Sequence, residues 1–198
     1  MKVRKLHRCI GIVLLLPFFG WAITGLVFFI KPGYAGAYES LNPRTYPLTG
    51  ALPISPDPAW LEFRYFRTVL GDHLLARTNS GWHQLNPTNR QPRSKAGENE
   101  IRLLLTDALL ANPSRYGTIS RVSSDTAWTD TGVEVKIDWN RMSFQQRGKD
   151  TNRIDRLYRI HYLQWTGVKT VDRIVGFSGL VLVMALTTLG AWLAFKRS

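Results

Sequence analysis

Residues 9–30 read CIGIVLLLPFFGWAITGLVFFI, about 22 consecutive positions without a charge. At 1.5 Å per residue such a run makes roughly 33 Å of helix, enough to cross the ~30 Å hydrocarbon layer of a bilayer. A helix that is apolar all round needs either lipid or a large protein body around it. A second run, 174–195, reads IVGFSGLVLVMALTTLGAWLAF, again about 22 positions without a charge. A chain of 198 residues is too short to enclose both. No third run of this length occurs. The competing reading of the first run is a secretory signal, with Ala35-Gly36-Ala37 as a cleavage-like site. Signal cores are shorter, about 7–15 residues, so length and the second run favour a retained anchor.

The flanks orient the spans. Lys2, Arg4, Lys5 and Arg8 precede the first run and only Lys31 directly follows it, which places the N-terminus in the cytoplasm. Lys169 and Arg173 precede the second run and Lys196 and Arg197 follow it; two crossings bring the C-terminus back to the cytoplasmic side. Tyr34, Tyr38 and Trp165 suit the outer interface and Trp192 the inner one. The expected division is a basic cytoplasmic tail (1–8), a first span (9–30), an extracytoplasmic domain (31–173), a second span (174–195) and a short cytoplasmic tail (196–198), in a bacterial inner membrane. Pro17 is expected to kink the first helix. Gly20, Ala22, Thr24 and Gly25 in the first span, and Gly176, Ser178, Gly179 and Gly190 in the second, permit close backbone approach. They can serve packing of the two helices on each other or a homodimer.

The net charge of +12 raises nucleic acid as a partner. The placement of the charges argues against it. The basic residues outside the flanks, such as Arg64, Arg67, Arg90, Arg93 and Lys95, are scattered and form no dense run or recognition motif. The partners expected are the lipid bilayer and another membrane or periplasmic protein. With Cys9 as its one cysteine, the chain forms no internal disulfide and carries no CxxC site. Leu6-His7-Arg8 before Cys9 lacks the small residues of a lipoprotein signal.

Between the spans, Pro32 to Pro58 is rich in Pro, Gly, Tyr and Asn and reads as an extended segment. Leu74–Thr78, the turn Asn79-Ser80-Gly81 and Trp82–Leu85 read as a hairpin. Glu98 to Ala111 reads as a helix with Ile101, Leu104, Leu105, Ala108 and Leu109 on one face, ended by Asn112-Pro113. Strands are expected at Thr118–Ser123, Val133–Trp139 and Met142–Arg147, the second alternating with period two. The expected domain is small and α+β, one helix against an antiparallel sheet. Arg153 to Thr166 reads as an amphipathic helix lying on the membrane, with Ile154, Leu157, Tyr158, His161 and Trp165 on one side.

Motifs of self-contained catalysis do not occur. There is no Gly-rich phosphate loop, GxSxG, HExxH, nicotinamide or flavin fingerprint. The Asp residues are scattered, and no acid–base pair follows from their spacing. His73 and His83 flank the hairpin without a carboxylate or cysteine cluster beside them, so no metal site is expected there.

Leu6-His7-Arg8 with Gly11, running on to Thr24-Gly25, resembles the opening helix of the PepSY-associated transmembrane family. Leu157-Tyr158-Arg159-Ile160-His161, followed by Asp172-Arg173, Gly176 and Gly179, resembles that family's second such motif before a glycine-rich span. The stretch from about Glu98 to Arg147 is similar to a PepSY module. Larger relatives have four or more spans, whereas this chain has two. The resemblance implies two transmembrane α-helices flanking a small α+β, PepSY-like extracytoplasmic domain. It implies a non-catalytic accessory or regulatory subunit whose domain binds a protein or small ligand. The alternative is a haem-b electron carrier linked to reduction of iron, siderophores or another periplasmic substrate.

His7 and His161 are the candidate haem ligands, each standing just before a span. The competing reading is that both are interfacial histidines bonded to backbone or head groups. They are expected on opposite faces of the membrane, about 30 Å apart, so one chain cannot place both on one haem. A symmetric dimer would pair each with its copy.

Overall fold

The computed structural model describes residues 2–50 and 55–196. Along the chain run α1 (Lys2–Ile30), α2 (Tyr34–Ala37), β1 (Glu62–Thr68), β2 (Gly71–Thr78), β3 (Gly81–Leu85) and α3 (Glu98–Leu109). Then follow α4 (Pro113–Tyr116), β4 (Ile119–Ser123), β5 (Thr126–Thr129), β6 (Glu134–Asp138), β7 (Ser143–Arg147), α5 (Lys149–His161) and α6 (Lys169–Phe195). They form two compact units. One is the described part of Met1–Tyr34 and Thr151–Ser198; the other is Ala35–Asp150.

In the helical unit, α1 and α6 are each long and apolar enough to cross a membrane. Their apolar side chains are bare: Phe29 is 86% exposed and Phe195 81%. Both helices start before the uncharged runs. The Lys, Arg and Leu residues ahead of Cys9 are good helix formers, so nothing stops α1 short of Lys2. Pro17 lies within α1 without ending it. The C-terminal tail expected at 196–198 lies outside the described residues beyond Lys196.

Several of the small residues face this chain's own helices. A Cβ on Gly11 would stand 3.8 Å from Leu186, and one on Gly190 3.3 Å from His7, so α1 and α6 pack closely. A Cβ on Gly20 would stand 3.7 Å from Ile160, and one on Gly179 2.9 Å from Leu163. Helix α5 and the turn after it therefore nest against both spans, while Gly25 faces open space. The amphipathic helix begins earlier than expected, at Lys149, and ends at His161 rather than Thr166.

The domain unit is α+β with two antiparallel sheets, ordered β1-β2-β3 and β4-β5-β6-β7. The expectation of one sheet is thereby corrected: β1 and β5 extend the two hairpins that the sequence shows. β1 (EFRYFRT) breaks its own alternation at Phe66, and β5 is only 4 residues long, so neither carries a clear period-two signal. The turn between β2 and β3 pairs Thr78 with Gly81, whose φ of 119° needs glycine. Helix α3 forms where its periodicity predicts. Arg102 pairs with Glu98 one turn back at 3.0 Å, and the Glu100 carboxylate accepts the Gly97 N–H at 2.9 Å. Its face Ile101, Leu104, Leu105, Ala108 and Leu109 joins one core with Leu75 from the first sheet, Val135, Ile137 and Phe144 from the second, and Val133 just before β6.

The segment Pro32–Pro58 is more committed than an extended leader. It carries α2, places Leu41 in the core, and bonds Tyr46 N to Arg67 O at 2.9 Å. Its stretch 51–54 lies outside the described residues. The Gln146 side-chain amide donates to Gly36 O at 3.1 Å and Glu39 O at 3.0 Å, and Arg115 pairs with Asp150. The first and last residues of the domain are thus tied together, as a domain inserted between two helices requires.

Candidate functional site

A cleft of about 730 Å³ opens on the domain unit, lined by Tyr65, Asp72, Gln84, Asn89, Arg93 and Trp139 among others. Its wall rests on His73, which is fully buried on β2. The His73 Nδ1 atom lies 2.8 Å from the Gln84 amide nitrogen and 3.1 Å from Arg93 Nη1. Both neighbours are donors, so Nδ1 is the acceptor, and Nε2 carries the proton and donates it to Thr68 Oγ1 at 2.7 Å. Phe66 stacks on the ring at 5.4 Å between centroids.

Burial first, and then the Arg93 guanidinium, lower the His73 pKa to about 4; Asp72 opposes them. His73 is therefore neutral at physiological pH, with its lone pair and its proton both committed inside the protein. It holds the cleft in shape and offers no base to a bound molecule. Arg93 Nη1 also donates to Asp72 O at 3.0 Å, and the Tyr65 hydroxyl donates to Asp72 Oδ2 at 2.9 Å. What the cleft presents is a set of fixed hydrogen-bonding groups beside Trp139, an arrangement suited to reversible binding.

His83 is exposed and bonds Ser80 Oγ at 2.9 Å. The structure does not bring it to His73. Among the described residues, no group of three or more His, Cys, Asp or Glu side chains is arranged to hold a metal ion.

His161 ends α5 against α1. Its Nδ1 lies 2.9 Å from Thr24 Oγ1, which itself lies 2.6 Å from Gly20 O. The short contact to the carbonyl takes the hydroxyl proton, so Thr24 Oγ1 accepts the Nδ1–H of His161. The tautomer is set, and His161 Nε2 has no hydrogen bond among the described residues. Trp21 Nε1 donates to His161 O at 2.6 Å, and Phe28 meets the ring edge-on at 5.2 Å. His7 packs at Gly190 on α6, and its Nδ1 is buried without a hydrogen-bond partner among the described residues. Thr24 and His7 stand about 25 Å apart along α1 at 1.5 Å per residue. The structure does not bring His7 and His161 together.

The partners of His73 and His161 escape a sequence reading. Gln84 and Arg93 look like ordinary strand and loop residues. Thr24 carries a signal only as a hydroxyl inside an apolar run, where a polar group tends to face a partner. The chain matches no family model, no curated protein and no solved structure.

Proposed function

We propose that this chain is a two-span bacterial inner-membrane protein, with both termini cytoplasmic, of the PepSY-associated transmembrane kind. Its extracytoplasmic domain binds a protein or small ligand, and the chain serves as an accessory or regulatory subunit rather than as a catalyst. The observation that carries this reading is the polar cleft walled by Gln84 and Arg93 and braced by the neutral, fully committed His73. The lengths and bare apolar faces of α1 and α6 support the membrane part. Reporter fusions test the topology: a fusion at position 90 is active outside the cytoplasm and one at the C-terminus inside. A photo-crosslinking residue at exposed Asn89 in the cleft tests binding, with exposed Lys136 as its control. An adduct formed in cells at Asn89 and not at Lys136 supports the reading, and no adduct at Asn89 overturns it.

A second reading, the haem-b carrier, is favoured by one observation. His161 donates Nδ1–H to Thr24 and keeps Nε2 free, the orientation that a ligating histidine adopts. Haem there would supply one-electron transfer. The fit is half complete: this chain offers one histidine at His161 and one at His7, too far apart to serve one iron, so each site needs a ligand from another chain. A homodimer with a low-spin spectrum after expression in haem-replete cells, from which His161→Ala removes the outer site alone and His7→Ala the inner site alone, supports this reading. A colourless protein that takes up no haem on reconstitution ends it for the isolated chain.

A further inference from the structure

We infer that the cleft between the end of α5 and the start of α6 binds the phosphate of an anionic phospholipid head group. The inference rests on the membrane reading above. The cleft, about 750 Å³, is lined by Arg159, Tyr162, Gln164, Lys169, Thr170 and Arg173, and it runs down to Gly176.

Three observations point to this ligand. First, none of Arg159, Lys169 and Arg173 has a carboxylate within ion-pair distance among the described residues; the ion pairs lie elsewhere. The carboxylate lining the cleft, Asp172, is only 8% exposed. Its Oδ1 accepts from the N–H and the hydroxyl of Thr166 at 2.9 and 2.7 Å, so it serves the turn. The Asp172 charge also faces Arg159, and with three cations to this one carboxylate the cleft keeps an excess of positive charge.

Second, the depth is that of head groups. Arg173 directly precedes the uncharged run that starts at Ile174. Tyr162 and Trp165, 59% and 49% exposed, stand at the same level as an interfacial aromatic belt does. Cations at this level attract anionic lipid.

Third, the cleft reaches from the three cations into the start of the uncharged run. Its lower end is Gly176, in the first turn of the uncharged run, where no side chain fills the space and the nearest atom to a Cβ would be Tyr162 O at 3.6 Å. A phosphodiester at the three cations, with its glycerol and acyl chains leaving past Gly176, uses both ends. Inorganic phosphate would use only the upper one.

The test uses the full-length chain in a neutral detergent. Native mass spectrometry counts retained phosphatidylglycerol against phosphatidylcholine, with inorganic phosphate added as a competitor. The wild type is expected to retain phosphatidylglycerol preferentially, and millimolar phosphate should not displace it. Each of Arg159→Gln, Lys169→Gln and Arg173→Gln should weaken retention roughly 5-fold. The charge-keeping triple Arg159→Lys, Lys169→Arg, Arg173→Lys should retain the preference, which separates charge from folding. Neutralising Lys2, Arg4 and Lys5 at the other end of α1 should leave it unchanged. Equal retention of the two lipids, a Gln triple that behaves as wild type, or displacement by phosphate alone would each overturn the inference. Membrane association is read separately: a chain released from membranes by carbonate sinks the two-span reading, whereas a retained chain without lipid preference sinks only the head-group site.

Discussion

Thr24 on α1 and His161 at the end of α5 stand 137 positions apart in the chain, and their side chains meet at 2.9 Å. The contact matters because it is made among apolar surroundings. The hydroxyl serves two neighbours, giving its proton to Gly20 O and accepting that of His161. Together with the Trp21–His161 bond it pins α5 to the first span.

Thr24→Val keeps the shape of the side chain and removes the hydroxyl. The His161 Nδ1–H then loses its partner. Side-chain hydrogen bonds between membrane helices are worth about 0.6 kcal/mol on average and up to about 1.7, so a loss of about 1 kcal/mol is expected. Reversible unfolding of the full-length chain in mixed micelles measures it. Stability equal to the wild type would show that the contact is not maintained.

His73 makes the domain sensitive to acid. Its folded pKa is lowered to about 4 from 6.5, so between those values the unfolded chain takes up a proton that the folded chain refuses. The stability it confers is complete above about pH 6.5 and falls as the pH drops towards 4. The full difference is about 3 kcal/mol at 1.36 kcal/mol per pH unit. Thermal unfolding at pH 7, 5.5 and 4 should show a steeper acid loss in the wild type than in His73→Gln. Parallel profiles would place the acid sensitivity elsewhere.

Leu105 is fully buried in the core that α3 shares with both sheets. Leu105→Asp puts a carboxylate where no partner stands, at a cost of several kcal/mol. Limited proteolysis of the membrane-embedded chain should then degrade the domain while the spans survive. Unchanged resistance would mean that the face of α3 has been misassigned.

Gly117 sits after α4 at φ 61°, a conformation that side chains adopt reluctantly. A Cβ there would overlap the Asp130 carboxylate, which accepts from Thr118 N at 3.0 Å and from the Thr118 hydroxyl at 2.7 Å. Gly117→Ala is expected to destabilise the domain by about 2–4 kcal/mol. Gly50→Ala also stands at positive φ but meets no atom of the described residues within 4 Å, and it should cost distinctly less in the same melting experiment.

The amino-acid order alone determined those features that are local in the chain. Two uncharged runs and their lengths define α1 and α6. The spacing of Ile101, Leu104, Leu105 and Ala108 defines α3, which ends at Leu109, two residues short of the Ala111 expected from Asn112-Pro113. The Asn79-Ser80-Gly81 turn defines the β2–β3 hairpin. Each rests on a period, a length or a backbone angle that neighbouring residues set by themselves. The tertiary structure decided what depends on distant segments meeting. It alone added β1 and β5 to the sheets, because a short or irregular strand is held by its partners rather than by its own pattern. It alone set Gln84 and Arg93 against His73, and Thr24 against His161. A side-chain hydrogen bond leaves no periodic trace in sequence, and its partners are chosen only when packing brings the backbones together.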